Sequence, residues 1–138
     1  MGGKKRGGTF DFASSNELWR AALDTIDFMP LASANYSGGI IITDWYSEQS
    51  DDEAIKVTVR FLSDEIRSDS IKIFVHKKIC DEKFKCKIQK LQNSMPDELK
   101  LSILKRAVLI EKDVLKKRRK AFNKKYPRTG DKLKTLGN

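Results

Sequence analysis

The sequence predicts an α+β fold, an antiparallel sheet of four to five strands with two helices packed on one face, and three observations carry that expectation. An amphipathic stretch with apolar residues at three- and four-residue spacing runs from Leu18 to Ile26. Two later segments, Ile55 to Phe61 and Ile71 to Ile79, alternate apolar and polar residues as half-buried strands do. A second helical stripe, Leu99, Ile103, Ala107, Ile110 and Val114, closes the order. Helix, strands, helix in that sequence place the helices together on one face of a meander.

The elements follow in turn. Residues 1–13 are glycine-rich and basic, without periodicity, and read as disordered. Ser14-x-x-Glu17 is a capping-box pattern, so the first helix is expected to start there, burying Leu18, Trp19, Ala22, Leu23 and Ile26 until Pro30 ends it. A short extended segment from Phe28 to Ala34 leads to the turn cluster Asn35-Tyr36-Ser37-Gly38-Gly39. That turn releases Ile40-Ile41-Ile42-Thr43, the most apolar run of the chain and a central or near-central strand. Ile55, Val57, Val59 and Phe61 then face the core, with Lys56, Thr58 and Arg60 towards water. Ile71, Ile73, Val75 and Ile79 repeat the pattern against Lys72, Phe74, His76 and Lys78. A weaker fifth strand is expected over Phe84 to Ile88. Ser94, Pro96, Asp97 and Glu98 start the long helix, since proline in the first turn loses no intrahelical bond and acids favour the positive end of the dipole. Leu104, Val108 and Leu115 are expected to widen its apolar stripe, and Pro127 and Gly130 mark its end.

A chain of 138 residues with 39% hydrophobic content fits one domain, expected over residues 14–115. The net charge of +9 is concentrated: residues 116–138 hold ten lysines and arginines against Asp131, so residues 1–115 sum to zero. The basic segment 116–138 is therefore expected to be a helical-to-disordered tail, standing free because only Ala121, Phe122 and Tyr126 are apolar between Leu115 and Pro127. No apolar run approaches the roughly 18 residues of a membrane-spanning helix, and the start shows no apolar region of a leader.

Residues with catalytic potential are few. His76 is the lone histidine and reads as a surface residue on a strand, which excludes multi-histidine metal sites and dyads of two imidazoles. The acidic clusters Asp51-Asp52-Glu53 and Asp64-Glu65 read as solvated loop residues. Phosphate-binding and nucleophile-elbow glycine motifs are absent. The expectation is a protein without catalytic residues, metal or cofactor. Binding is placed on two sets: Asp44, Trp45 and Tyr46, an aromatic rim at a strand end, and Lys116, Lys117, Arg118, Arg119, Lys120, Lys124 and Lys125 of the basic tail.

The run from Leu18 to Ala34, with Gly38 to Ser47, Lys56-Val57-Thr58-Val59 and Glu65-Ile66-Arg67-Ser68-Asp69, closely resembles an uncharacterised bacterial family, domain of unknown function 3576, over about Asn16 to Leu115. Members look like envelope proteins made with a lipoprotein-type leader, and the element order is similar to the helix-grip domains of the outer-membrane assembly lipoprotein C. The resemblance implies a non-enzymatic envelope module binding a protein partner, on the periplasmic side if a leader precedes the chain and cytoplasmic otherwise. The basic tail suggests an alternative, a polyanion-binding protein that contacts an anionic membrane or, less readily, nucleic acid. No small-molecule substrate is expected. An oxidising compartment would favour a bridge between Cys80 and Cys86. Strand parity speaks against it: if Ile79 is in the core Cys80 points outward, and if Phe84, Cys86 and Ile88 share the core face Cys86 points inward.

Overall fold

A computed structural model of the protein describes residues 16–48 and 52–127. The expected disordered segment 1–13, Ser14 of the expected cap, Asp51 and residues 128–138 lie outside the described residues.

Helix α1 (Glu17–Thr25) starts later than the Ser14 pattern predicts, because Asn16 is its N-cap. The Asn16 side-chain oxygen accepts from the Trp19 amide at 3.1 Å, and its amide nitrogen donates to the Tyr36 hydroxyl at 3.2 Å. Asparagine caps as well as serine, and here its second polar atom also ties the helix start to the following turn. Glu17 thus lies in the first turn beside the dipole's positive end, not at the third position of a capping box. Leu18, Trp19, Ala22 and Ile26 are buried as the spacing predicts, and so is Ala21.

Strands β1 (Leu31–Asn35) and β2 (Ile40–Thr43) form the expected hairpin. Gly39 is required in its turn for two reasons. Its φ is +65°, and a Cβ there would stand 2.9 Å from the carbonyl oxygen of Phe61, whose amide donates to the Gly39 carbonyl at 2.8 Å. Strand β3 (Glu53–Phe61) follows, then a link ending in a 3₁₀ turn (Ser68–Ser70), β4 (Ile71–Cys80), β5 (Cys86–Lys90) and helix α2 (Met95–Lys125). The five strands pair antiparallel in chain order, so β3 is central and β2 is next to it.

One face of the sheet meets the helices. Ile41, Val57, Val59, Ile71 and Val75 are buried there with Ile103, Ala107 and Ile110 of α2, while Leu99, Leu104 and Val114 pack half-buried around them. Arg106 reaches Asp24 at 3.1 Å, linking α2 to α1. The start of α2 uses Ser94 and Pro96 as expected, with Asn93 accepting from the Met95 amide at 3.0 Å and the Ser94 hydroxyl donating to Glu98 at 3.2 Å.

Three packing expectations are corrected. Ile79 is 38% exposed, since β4 outruns the helix layer at that end. Phe84 is 90% exposed and sits at φ 61° in the turn before β5, whose strand starts two residues later than expected. Asp81 organises that turn, its carboxylate accepting from the Lys83 and Lys85 amides at 2.9 Å each. Val108 and Leu115 do not widen the stripe of α2: both are exposed, because they project away from the sheet.

Trp19 meets Tyr36 edge-on at 5.0 Å and Phe61 at 5.1 Å between ring centroids. Trp19→Ala is therefore expected to cost about 3–5 kcal/mol, checked by denaturant unfolding; an unchanged midpoint would show that the indole does not hold helix to sheet. In the same measurement Gly39→Ala should cost more than about 1 kcal/mol. Gly38→Ala should cost less, because its added Cβ would meet only the movable Asn35 side chain.

Candidate functional site

Neighbouring residues of extended chain point to opposite faces, and this divides the expected aromatic rim. Tyr46 exchanges both backbone hydrogen bonds with Ile55 at 2.9 Å, which turns its ring to the helix side, edge-on to Phe28 at 5.5 Å. Trp45 lies on the other side of the sheet, under the ammonium groups of Lys78 at 4.7 Å and Lys56 at 5.5 Å. The exposed Asp44 accepts from the Trp45 amide at 2.8 Å and shapes the chain between them. The structure thus does not bring Asp44, Trp45 and Tyr46 together as one patch.

On the helix side, Tyr46 enters an open groove of about 560 Å³ between the end of the sheet and the first turns of α2. Phe28, Tyr46, Ile55, Leu91, Met95 and Leu99 give it apolar walls, and Val57 lies at its base. Glu48, Glu53, Lys77 and Asn93 form its polar rim, where Lys77 pairs with Glu53 at 3.2 Å. Of these residues the sequence reading singled out Tyr46 alone as a binding residue. Leu91, Asn93 and Met95 carry no periodic signal, since they belong to the connection between β5 and α2 and to the helix's first residue.

The basic set lies elsewhere. Lys116, Lys117, Arg118, Arg119, Lys120, Lys124 and Lys125 are all exposed on the part of α2 that continues beyond its last half-buried core residue, Val114, and none lines the groove. Consecutive helical positions are about 100° apart, so Lys116 to Lys120 surround the helix instead of forming one stripe. Lys117 pairs with Asp113 at 3.0 Å. In the link before β4, Arg67 holds Glu65 at 2.8 Å and Asp69 at 3.1 Å.

Thr43 is a buried residue that the sequence reading passed over. Its hydroxyl oxygen accepts from the Val57 amide at 2.9 Å, replacing a ladder bond where the chain leaves β2.

The cysteines overturn the parity expectation. Cys80 and Cys86 stand directly opposite each other at the end of the β4–β5 ladder and form a disulfide. Directly opposed residues of an antiparallel pair share a face. Cys86 and Ile88 share a face as expected, but that face is not the core: in the observed register Cys86, Ile88 and Lys90 lie on the helix-free face with Cys80, Lys78 and His76, and Ile88 is exposed. The sequence contains two cysteines, and both are in the bridge.

The profile of a family described as "Domain of unknown function (DUF3576)" matches residues 12–112. The chain belongs to this family. It is also 33% identical to the "Uncharacterized protein RP420" of Rickettsia prowazekii (strain Madrid E) over 106 residues, which are 76% of this chain and 56% of that protein. The chain thus spans little more than half the length of this curated relative. No solved structure matches it. The DUF3576 match covers α1, the whole sheet and α2 as far as residue 112, which takes in every core residue of that helix but Val114, together with every wall of the groove, and stops short of the basic end of the helix.

Thiol titration of the denatured, unreduced protein is expected to find no free cysteine, and reduction should lower stability by about 2 kcal/mol, as opening so short a loop implies. Two titratable thiols before reduction would refute the bridge.

Proposed function

We propose that this DUF3576 domain is a non-enzymatic module of the cell envelope that holds a protein partner by seating an apolar segment of it in the groove beside Tyr46. The observation that carries this reading is the groove itself, apolar on its walls, open to solvent and rimmed by groups of both charges. An open trough suits a polypeptide, whose backbone and polar side chains can reach Glu48, Asn93 and the Glu53–Lys77 pair. A small apolar molecule gains most from an enclosed cavity that buries most of its surface. The disulfide supports a periplasmic setting, since such bonds persist in oxidising compartments.

The reading is tested by placing a photo-crosslinking residue at Ser47, at the groove mouth, in cells of the native organism. One envelope protein should be captured, and capture should fall at least tenfold when Met95→Lys puts a charge into the wall. Equal capture with and without Met95→Lys, or recovery of the protein in the cytosolic fraction, would overturn it.

A second reading, polyanion contact through α2, is favoured by the exposed cations of residues 116–125. Replacing Lys116, Lys117, Arg118, Arg119 and Lys120 by glutamine should lower the salt concentration that elutes the protein from heparin, without moving the melting temperature. Unchanged elution would exclude the helix end as the contact.

A further inference from the structure

We propose that the helix-free face of the sheet is a docking surface for an anionic phospholipid bilayer, with Arg60, Lys72, Lys56, Lys78 and Lys90 contacting the headgroups. The strand register puts these residues on one side. Lys56 pairs with His76 and His76 with Lys90, giving a row across β3, β4 and β5, and Arg60 stands directly opposite Lys72. No strand position on this face carries a carboxylate: β1 contributes Ser33 and Asn35, β2 contributes Ile40 and Ile42, and β3 adds Ala54 and Thr58. Acids stand only beyond the strand ends, at Asp44, Asp52 and Asp81. Among the described residues none of the five cations is in an ion pair. Like charges directly opposite each other in a sheet are destabilising. Arg60 and Lys72 stand opposite each other with no salt-bridge partner among the described residues, an arrangement that an anionic surface would favour.

The aromatic residues decide between a bilayer and single-stranded nucleic acid. Base stacking needs bare ring faces, but Lys90 lies over Phe74 at 4.5 Å and Lys78 over Trp45 at 4.7 Å. The ammonium groups, not the rings, meet an approaching ligand. Ile88, 60% exposed opposite Lys78, and the half-buried Ile40, Ile42 and Trp45 add apolar contact of the kind found at the headgroup level of a membrane. The zero net charge of residues 1–115 conceals this face, because the acids among the described residues lie in loops, on the helices and, for Glu53, on the helix side of β3.

The test uses the full chain with vesicles of 30% phosphatidylglycerol in phosphatidylcholine at low salt. A triple variant, Arg60→Gln, Lys72→Gln and Lys90→Gln, should bind on the order of a hundredfold more weakly, at about fivefold per basic group lost. The same loss should appear when Lys116 to Lys120 are already glutamine, which separates the sheet face from the end of α2, and neither result depends on the groove. Lys72→Glu, which sets a carboxylate opposite Arg60, should raise the melting temperature while weakening vesicle binding. Those opposite signs are expected of a docking surface and not of a merely structural one. Vesicle affinity within twofold of the parent for the triple variant would overturn the proposal. So would tighter binding of a single-stranded oligonucleotide than of the vesicles, with the same residues responsible.

Discussion

Two helices can cover one face of a five-stranded sheet and not both, and most of this molecule follows from that constraint. At about 4.8 Å per strand the sheet is roughly 20 Å wide, and the two helices bury only its middle. Strands β2, β3 and β4 are therefore two-sided, while the edge strands β1 and β5 are exposed at every residue. Val57 and Val59 are buried while Lys56, Thr58 and Arg60 face water. Even the run Ile40-Ile41-Ile42, which reads as buried on both sides, buries Ile41 completely and its neighbours only halfway.

The covered face is assembled around Trp19. Its ring contacts with Tyr36 and Phe61 join α1, the hairpin turn and the end of β3, and the Asn16 side chain adds a polar tie from the same helix end to Tyr36. Gly39 completes the set by allowing the turn to approach the Phe61 carbonyl. A tryptophan at a helix start, a tyrosine in a turn and a phenylalanine at a strand end are far apart in sequence. They are held together because each closes one end of the same apolar layer. At the opposite end of that layer the Phe28–Tyr46 pair lines the space without closing it, and the groove between Tyr46 and Met95 remains open among the described residues.

How much of this could be read from the residues depended on whether a signal was periodic. Alternation in β3 and β4 and the stripe of α2 gave element type and facing correctly, and Gly38-Gly39 marked the turn. The signal failed where periodicity was carried across a boundary. Phe84 and Ile88 look like core residues by composition, yet Phe84 has a left-handed backbone in the turn and Ile88 is exposed on the helix-free face, so assigning their side to the core separated two cysteines that are direct partners. Asp44-Trp45-Tyr46 was legible as a binding candidate, but treating the aromatic pair as one patch ignored the alternation applied everywhere else. The groove itself was not legible, since Leu91 and Asn93 come from the connection after β5 and Phe28, Ser47 and Glu48 from segments outside the strands and helices, none of them periodic. Net charge was misleading in a related way: a sum of zero is compatible with cations on one face and acids on the others.

The two open edges of the sheet bear on how a partner can be held. A free strand edge is the usual template for strand addition, and proteins blunt it with short strands, irregular pairing and charge. Both edges here carry such features. β1 is five residues long with a register shift between Leu31 and Ser33, and β5 is five residues long with Lys87 and Lys90 and is tied down at its start by the disulfide. An added strand would meet a break on one side and two lysines on the other. The surfaces without such obstacles are the groove on the helix side and the cationic face opposite. The sheet lies between them, so the two proposed contacts, a protein segment in the first and a membrane against the second, draw on different residues.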